Sequence, residues 1–246
     1  MKRLRPFLVA LQFLTRLPVH MPEPPNEREI GQSLLYYPLV GLLLGLMLAA
    51  LAWTMRDGGS MLHAALLLVM WVLMTGGLHL DGLADSADAW VGGQGSRERT
   101  LAIMKDAYCG PAGAVALILL LLVKLAALEA LAAQHQELPL VLAPLIGRTS
   151  LPALFISTPY VRLGGLGEVL GRQCPRRPTV AVVFGTVATI PLTTGMHSLW
   201  SLASAFATFA VLRDLMLRRL GGTTGDTAGA MVELVESSVL IAAAMV

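Results

Sequence analysis

Apolar residues run through this chain in long blocks separated by short polar breaks, without the one-sided spacing of a soluble surface helix. A helix needs about 20 such residues to cross the hydrocarbon core of a bilayer. The blocks predict seven spans, over about 34–55, 61–80, 112–133, 138–160, 179–194, 199–217 and 227–246. Gly41 and Gly45 have the spacing of small residues that lets two helices approach closely, within one chain or between copies in a homo-oligomer. Leu4 to Leu17 is too short to span and predicts an interfacial segment, followed by a loop rich in proline (Pro22, Pro24, Pro25). The breaks are the turn Arg56-Asp57-Gly58-Gly59-Ser60, the loops over 91–111 and 161–178, and the turn Gly221 to Asp226. No fixed repeat is visible. The pattern is that of an all-α polytopic transmembrane bundle, read as a single domain over residues 1–246.

Composition agrees. The chain is 55% hydrophobic and only 14% charged, with mean hydropathy +0.68, where a soluble domain carries about 25% charged residues. A lipid bilayer is the implied surrounding, and no nucleic-acid partner is expected. The start Met1-Lys2-Arg3-Leu4-Arg5 has the charge of a signal peptide, but Pro6, Gln12, Arg16 and Pro18 break the run and no small-residue cleavage site follows. Cys109 and Cys174 stand far apart with no histidine at ligand spacing, which argues against zinc and against a disulfide framework. With the N-terminus placed in the cytoplasm, 15 of the 18 basic residues fall on the inner side. Arg56 alone falls outside, while Lys124 and Arg148 lie within spans. That is the positive-inside pattern of a multi-pass protein.

Against this background the acidic residues stand out. Asp81, Asp85 and Asp88 follow the second apolar block at i, i+4 and i+7, within roughly 60° of one another on a helix. Asp226, Glu233 and Glu236 form a second set, also on the cytoplasmic side. Oxygen-only donors of this kind suit magnesium, manganese or calcium, and magnesium keeps room for substrate phosphates. Charged carboxylates within an apolar span each cost roughly 2.5 kcal/mol or more without a partner, so Glu233 and Glu236 need a metal, a wet cavity or a base. Arg148, inside a span, needs an anion; Lys124 either pairs with a glutamate or snorkels. His79 is either a packing residue or a general base. Gly222, Thr223, Thr224 and Gly225 lead into a helix start suited to anions, and Arg97, Arg99 and Lys105 are basic groups able to hold a diphosphate.

Several stretches resemble the cobalamin synthase family, also called adenosylcobinamide-GDP ribazoletransferase. They are Gln12 to Pro18, Tyr37 to Leu42, Gly76 to Asp88, Ile103 to Asp106, Gly164 to Gly167, and Gly221 to Ala230 with Glu233 and Glu236. The match departs after Asp106, where the family usually has a serine and an arginine and this chain has Ala107, Tyr108 and Cys109. The resemblance implies a magnesium-dependent enzyme of the bacterial inner membrane, with its site facing the cytoplasm. It would join adenosylcobinamide-GDP to α-ribazole or its 5′-phosphate and release GMP. On that basis Asp81, Asp85, Asp88, Asp226 and Glu233 are expected as metal ligands, and Asp85 or Glu236 as the base. Lys105 and Arg148 are expected to stabilise phosphate charge, and Arg97, Arg99, Asp106 and Gly222 to Gly225 to contact substrate. Two rivals stay open: a CDP-alcohol phosphotransferase, whose Ala-Arg after the first Asp-Gly is missing here, and a cation or corrinoid transporter.

Overall fold

The computed structural model describes residues 4–55, 60–196 and 198–246; Lys2, Arg3 and the expected turn at 56–59 lie outside them. Among the described residues twelve α-helices follow one another: α1 Arg5–Leu14, α2 Glu27–Ser33, α3 Tyr37–Thr54, α4 Ser60–Thr75, α5 Leu78–Gly92, α6 Arg97–Ile103, α7 Pro111–Ala133, α8 Leu138–Ser157, α9 Leu166–Gln173, α10 Arg176–Thr194, α11 Ser198–Leu220 and α12 Gly225–Ala244. A 3-10 turn, Leu34–Tyr36, joins α2 to α3. Among the described residues the extended backbone is limited to one isolated bridge, Tyr160 to Thr223.

Seven spans were expected; among the described residues five helices are long and apolar enough to cross a membrane, or six if α4 and α5 count as one broken span. Two physical reasons account for the difference. Gly76 and Gly77 both take left-handed φ, +66° and +69°, a conformation that glycine adopts without steric cost. They end α4, and α5 leaves at 90° instead of continuing the span. The helix expected at 179–194 forms as α10, but its apolar part is short, and Arg176 and Arg177 at its start, with its threonines, Gly185 and Pro191, keep it out of the spanning set.

The core is built around α8, which packs against both α3 and α12, with Leu44, Leu48, Leu154, Met231 and Val239 fully or almost fully buried. Gly41 and Gly45 answer the question their spacing raised: a Cβ at either would overlap the backbone of α8 at Pro144 or Val141. The close contact is therefore made within the chain, and two bare backbone stripes replace bulky side chains there. Pro144 and Pro152 lie inside α8 without ending it.

Cross-links tie the basic segments to one end of the bundle. Arg172 pairs with Glu27 at 2.6 Å, Arg97 Nε donates to Leu220 O at 2.7 Å, and Arg213 Nη2 donates to Ser157 O at 2.6 Å. The carboxylates of α5 open at this same end.

Candidate active site

Helix α5 crosses the first turns of α7 and α12. The two acidic motifs meet there because side chains are missing: a Cβ on Gly82 would come within 2.7 Å of Asp226 O, and one on Gly229 within 3.3 Å of His79 Cα. Gly82 stands between Asp81 and Asp85, so this contact seats both beside the start of α12. Asp85 feels the negative charges of Asp81, Asp226 and Asp88 and the positive charge of Arg162.

A cavity of about 560 Å³ opens over α5, lined by Asp81, Asp85, Gly76, Gly77, Arg16 and Cys109 among others. No ion pair or hydrogen bond occupies the carboxylate of Asp81 or Asp85 among the described residues, although the Asp81 backbone N–H donates to Gly77 O at 3.0 Å. These are the two carboxylates available to a ligand. No three His, Cys, Asp or Glu side chains among the described residues converge as a ready-made metal cage. Two free carboxylates fit magnesium nonetheless, because that ion is usually held by one or two carboxylates together with substrate phosphates.

Asp88 is placed differently from expectation. Its Oδ2 accepts from Gly110 N at 2.7 Å and its Oδ1 from Gly113 N at 2.9 Å. Both oxygens cap the start of α7, satisfying N–H groups that have no partner within the helix. A Cβ on Gly110 or Gly113 would fill the space that the carboxylate occupies. Asp226 pairs with Arg162 Nη1 at 2.7 Å, a partner delivered when Pro159 to Val161 joins the turn before α12 through Thr223 N to Pro159 O, 2.8 Å, and Val161 N to Thr223 O, 2.9 Å. Beside them burial raises the Tyr160 hydroxyl above its ordinary range, with Arg162 pulling it down, so it remains a neutral donor.

Glu233, expected as a metal ligand, and Glu236, expected as a base, do not line the cavity of Asp81 and Asp85. Lys124 Nζ binds Glu233 Oε2 at 2.6 Å and Glu236 Oε2 at 2.8 Å. Arg148 pairs with the other oxygen of Glu236, and Lys124 also lies 4.8 Å from the centre of the Trp71 ring. The quartet carries no net charge and is buried; Arg148 and Glu236 are each 0% exposed. Neither a base role for Glu236 nor a phosphate role for Arg148 fits groups sealed in this way. Of the alternatives for Lys124, pairing is what occurs. His79 is buried with its Nδ1 unpartnered.

The expected phosphate cradle is likewise spent internally. Thr224 Oγ1 accepts from Thr227 N and Thr227 Oγ1 accepts from Thr224 N at 2.9 Å, a reciprocal cap of α12. Thr223 hydrogen-bonds Thr227 Oγ1 at 2.9 Å, and Gly222 lies under Pro159 O; only Gly225 is exposed. Arg97 caps α11, and Arg99 reaches Gln94 on the surface. Lys105 and Asp106 are exposed on the loop whose Ala107 and Cys109 line the cavity. Sequence reasoning missed Arg16 and Arg162 as site residues; Arg16 lies in a motif-bearing stretch and Arg162 two residues before one, but nothing local in the sequence indicates that Arg16 reaches the cavity or that Arg162 pairs with Asp226.

A family model described as cobalamin-5-phosphate synthase matches residues 6–244. An adenosylcobinamide-GDP ribazoletransferase of Pseudomonas fluorescens is 55% identical over 240 residues, covering 98% of this chain and 99% of the relative. Proteins of the same name from Pseudomonas putida and Pseudomonas entomophila are 55% and 53% identical, each over 98% of both chains. No solved structure matches. The motifs that bring α5 and α12 together lie within the matched stretch, and this chain belongs to the cobalamin-5-phosphate synthase family.

Proposed function

We propose that residues 1–246 act as one membrane-embedded transferase that moves the adenosylcobinamide-phosphate group of adenosylcobinamide-GDP to α-ribazole or its 5′-phosphate, with GMP leaving. The names of the relatives support the reaction. The observation that carries the site is the presence of two unpaired carboxylates, Asp81 and Asp85, in one cavity against the start of α12.

In this reading a ribazole hydroxyl oxygen forms a bond to the phosphorus nearer the cobinamide, and the bridging P–O bond to GMP breaks. Magnesium, when bound, would neutralise charge on the diphosphate. Asp81 and Asp85 would hold it, and Asp85 is the candidate to take the hydroxyl proton, since the other candidate base, Glu236, is sealed in its ion pairs. Phosphoryl transfer of this kind depends mainly on positioning and charge neutralisation. Arg162 restrains Asp226 beside the site.

The clustering of basic segments at the end where the cavity opens supports a cytoplasmic site in the bacterial inner membrane. The test is GMP release by Asp81→Asn and Asp85→Asn enzyme whose thermal unfolding matches the unaltered protein. Loss of at least about 100-fold is expected, on the scale seen when one charge-stabilising group is removed from an active site. Near-normal release from either variant would take that residue out of the site.

A further inference from the structure

We propose that Arg16 grips the diphosphate of the donor from the wall of the cavity it shares with the carboxylates, an inference that rests on the site described above. Arg16 lies between α1 and α2, and two separate restraints fix it. Its backbone N–H donates to Met74 O at 2.7 Å, tying it to the last turn of α4. Its side chain lies across Gly76, where a Cβ would overlap the guanidinium and its stem. Gly76 thus has a second reason to lack a side chain, besides its left-handed φ of +66°.

Arg16 lines the same cavity as Asp81 and Asp85. No acid pairs with it among the described residues. The cation and the carboxylates thus line one cavity of about 560 Å³ without pairing to one another. A bare anion would be repelled by the carboxylates, and a bare cation by the guanidinium. A diphosphate carrying a divalent cation on one side satisfies both. The planar fork of arginine suits two phosphate oxygens at once. Lys105, on the exposed loop, has only a local restraint, its backbone N–H donating to Ala102 O at 3.2 Å.

The test is steady-state kinetics of the full-length protein in lipid nanodiscs. Arg16→Gln should raise the donor KM about 10- to 100-fold, the cost of charged hydrogen bonds lost from a site, with the acceptor KM unchanged. Arg16→Lys, which keeps the charge but not the fork, should raise it less, and it carries the test if the glutamine variant is unstable. Gly76→Ala should show the same donor-specific defect, and the double variant little more than either alone. Cys109 lines the same cavity and reports occupancy without turnover. GDP with magnesium should slow its alkylation in the unaltered protein but not in Arg16→Gln. An unchanged donor KM, an acceptor KM rising in step, or equal protection of Cys109 would overturn the role of Arg16. If Asp81→Asn is then inactive, only that role fails; if Asp81→Asn turns over normally, the site itself is wrong.

Discussion

Three aspartates on one helix face read identically in sequence, yet the structure gives them different work. Asp81 and Asp85 remain open to the cavity, whereas Asp88 spends both oxygens on the first N–H groups of α7. Asp88→Ala should therefore act on stability first. Two part-buried donors lose their acceptor, at up to roughly 1–3 kcal/mol each. A lowered unfolding midpoint in detergent, with donor KM little changed in the folded fraction, is the expected result. A folded, stable variant that cannot bind donor would return Asp88 to the site. Spacing made the three aspartates visible, but what separates their roles is Gly110 and Gly113, more than 20 positions on, whose missing side chains leave room for the Asp88 carboxylate. Arg162 was illegible for the same reason: its partner Asp226 is 64 positions away.

At the scale of helices, the long apolar blocks made α3, α7, α8, α11 and α12 legible, because hydrophobic length is a local property. The bend after Thr75 was not, since its cause is the backbone conformation of two glycines and not the hydropathy around them. The need of Glu233, Glu236 and Arg148 for partners was legible from cost alone; which partner each takes depends on α7, α8 and α12 packing together. The quartet they form with Lys124 has zero net charge, and this makes a specific prediction. Lys124→Met leaves a buried carboxylate uncompensated and should cost about 3–5 kcal/mol. Adding Glu233→Gln leaves the Arg148–Glu236 pair intact and should recover most of that loss in thermal unfolding. A double variant no better than the single would show that the charges do not act as one unit.

For the whole molecule, all the basic segments described gather at one end, and the turn between α7 and α8 lies at the other. Alkylation from each side of sealed vesicles checks this. Cys109 should react with an impermeant maleimide in inside-out vesicles, and a cysteine replacing the exposed Gln134, with Cys109 and Cys174 changed to serine, only in right-side-out ones. The reverse pattern would place the cavity outside. The buried quartet also has a consequence for biogenesis. Lys124 and Arg148 are translated well before Glu233 and Glu236, so α7 and α8 enter the membrane before the acids that pair with their cations exist, and α8 carries no acid of its own beside Arg148. The ribosome must deliver α12 before that debt is cleared, and until then the nascent bundle remains open to chaperones and membrane proteases.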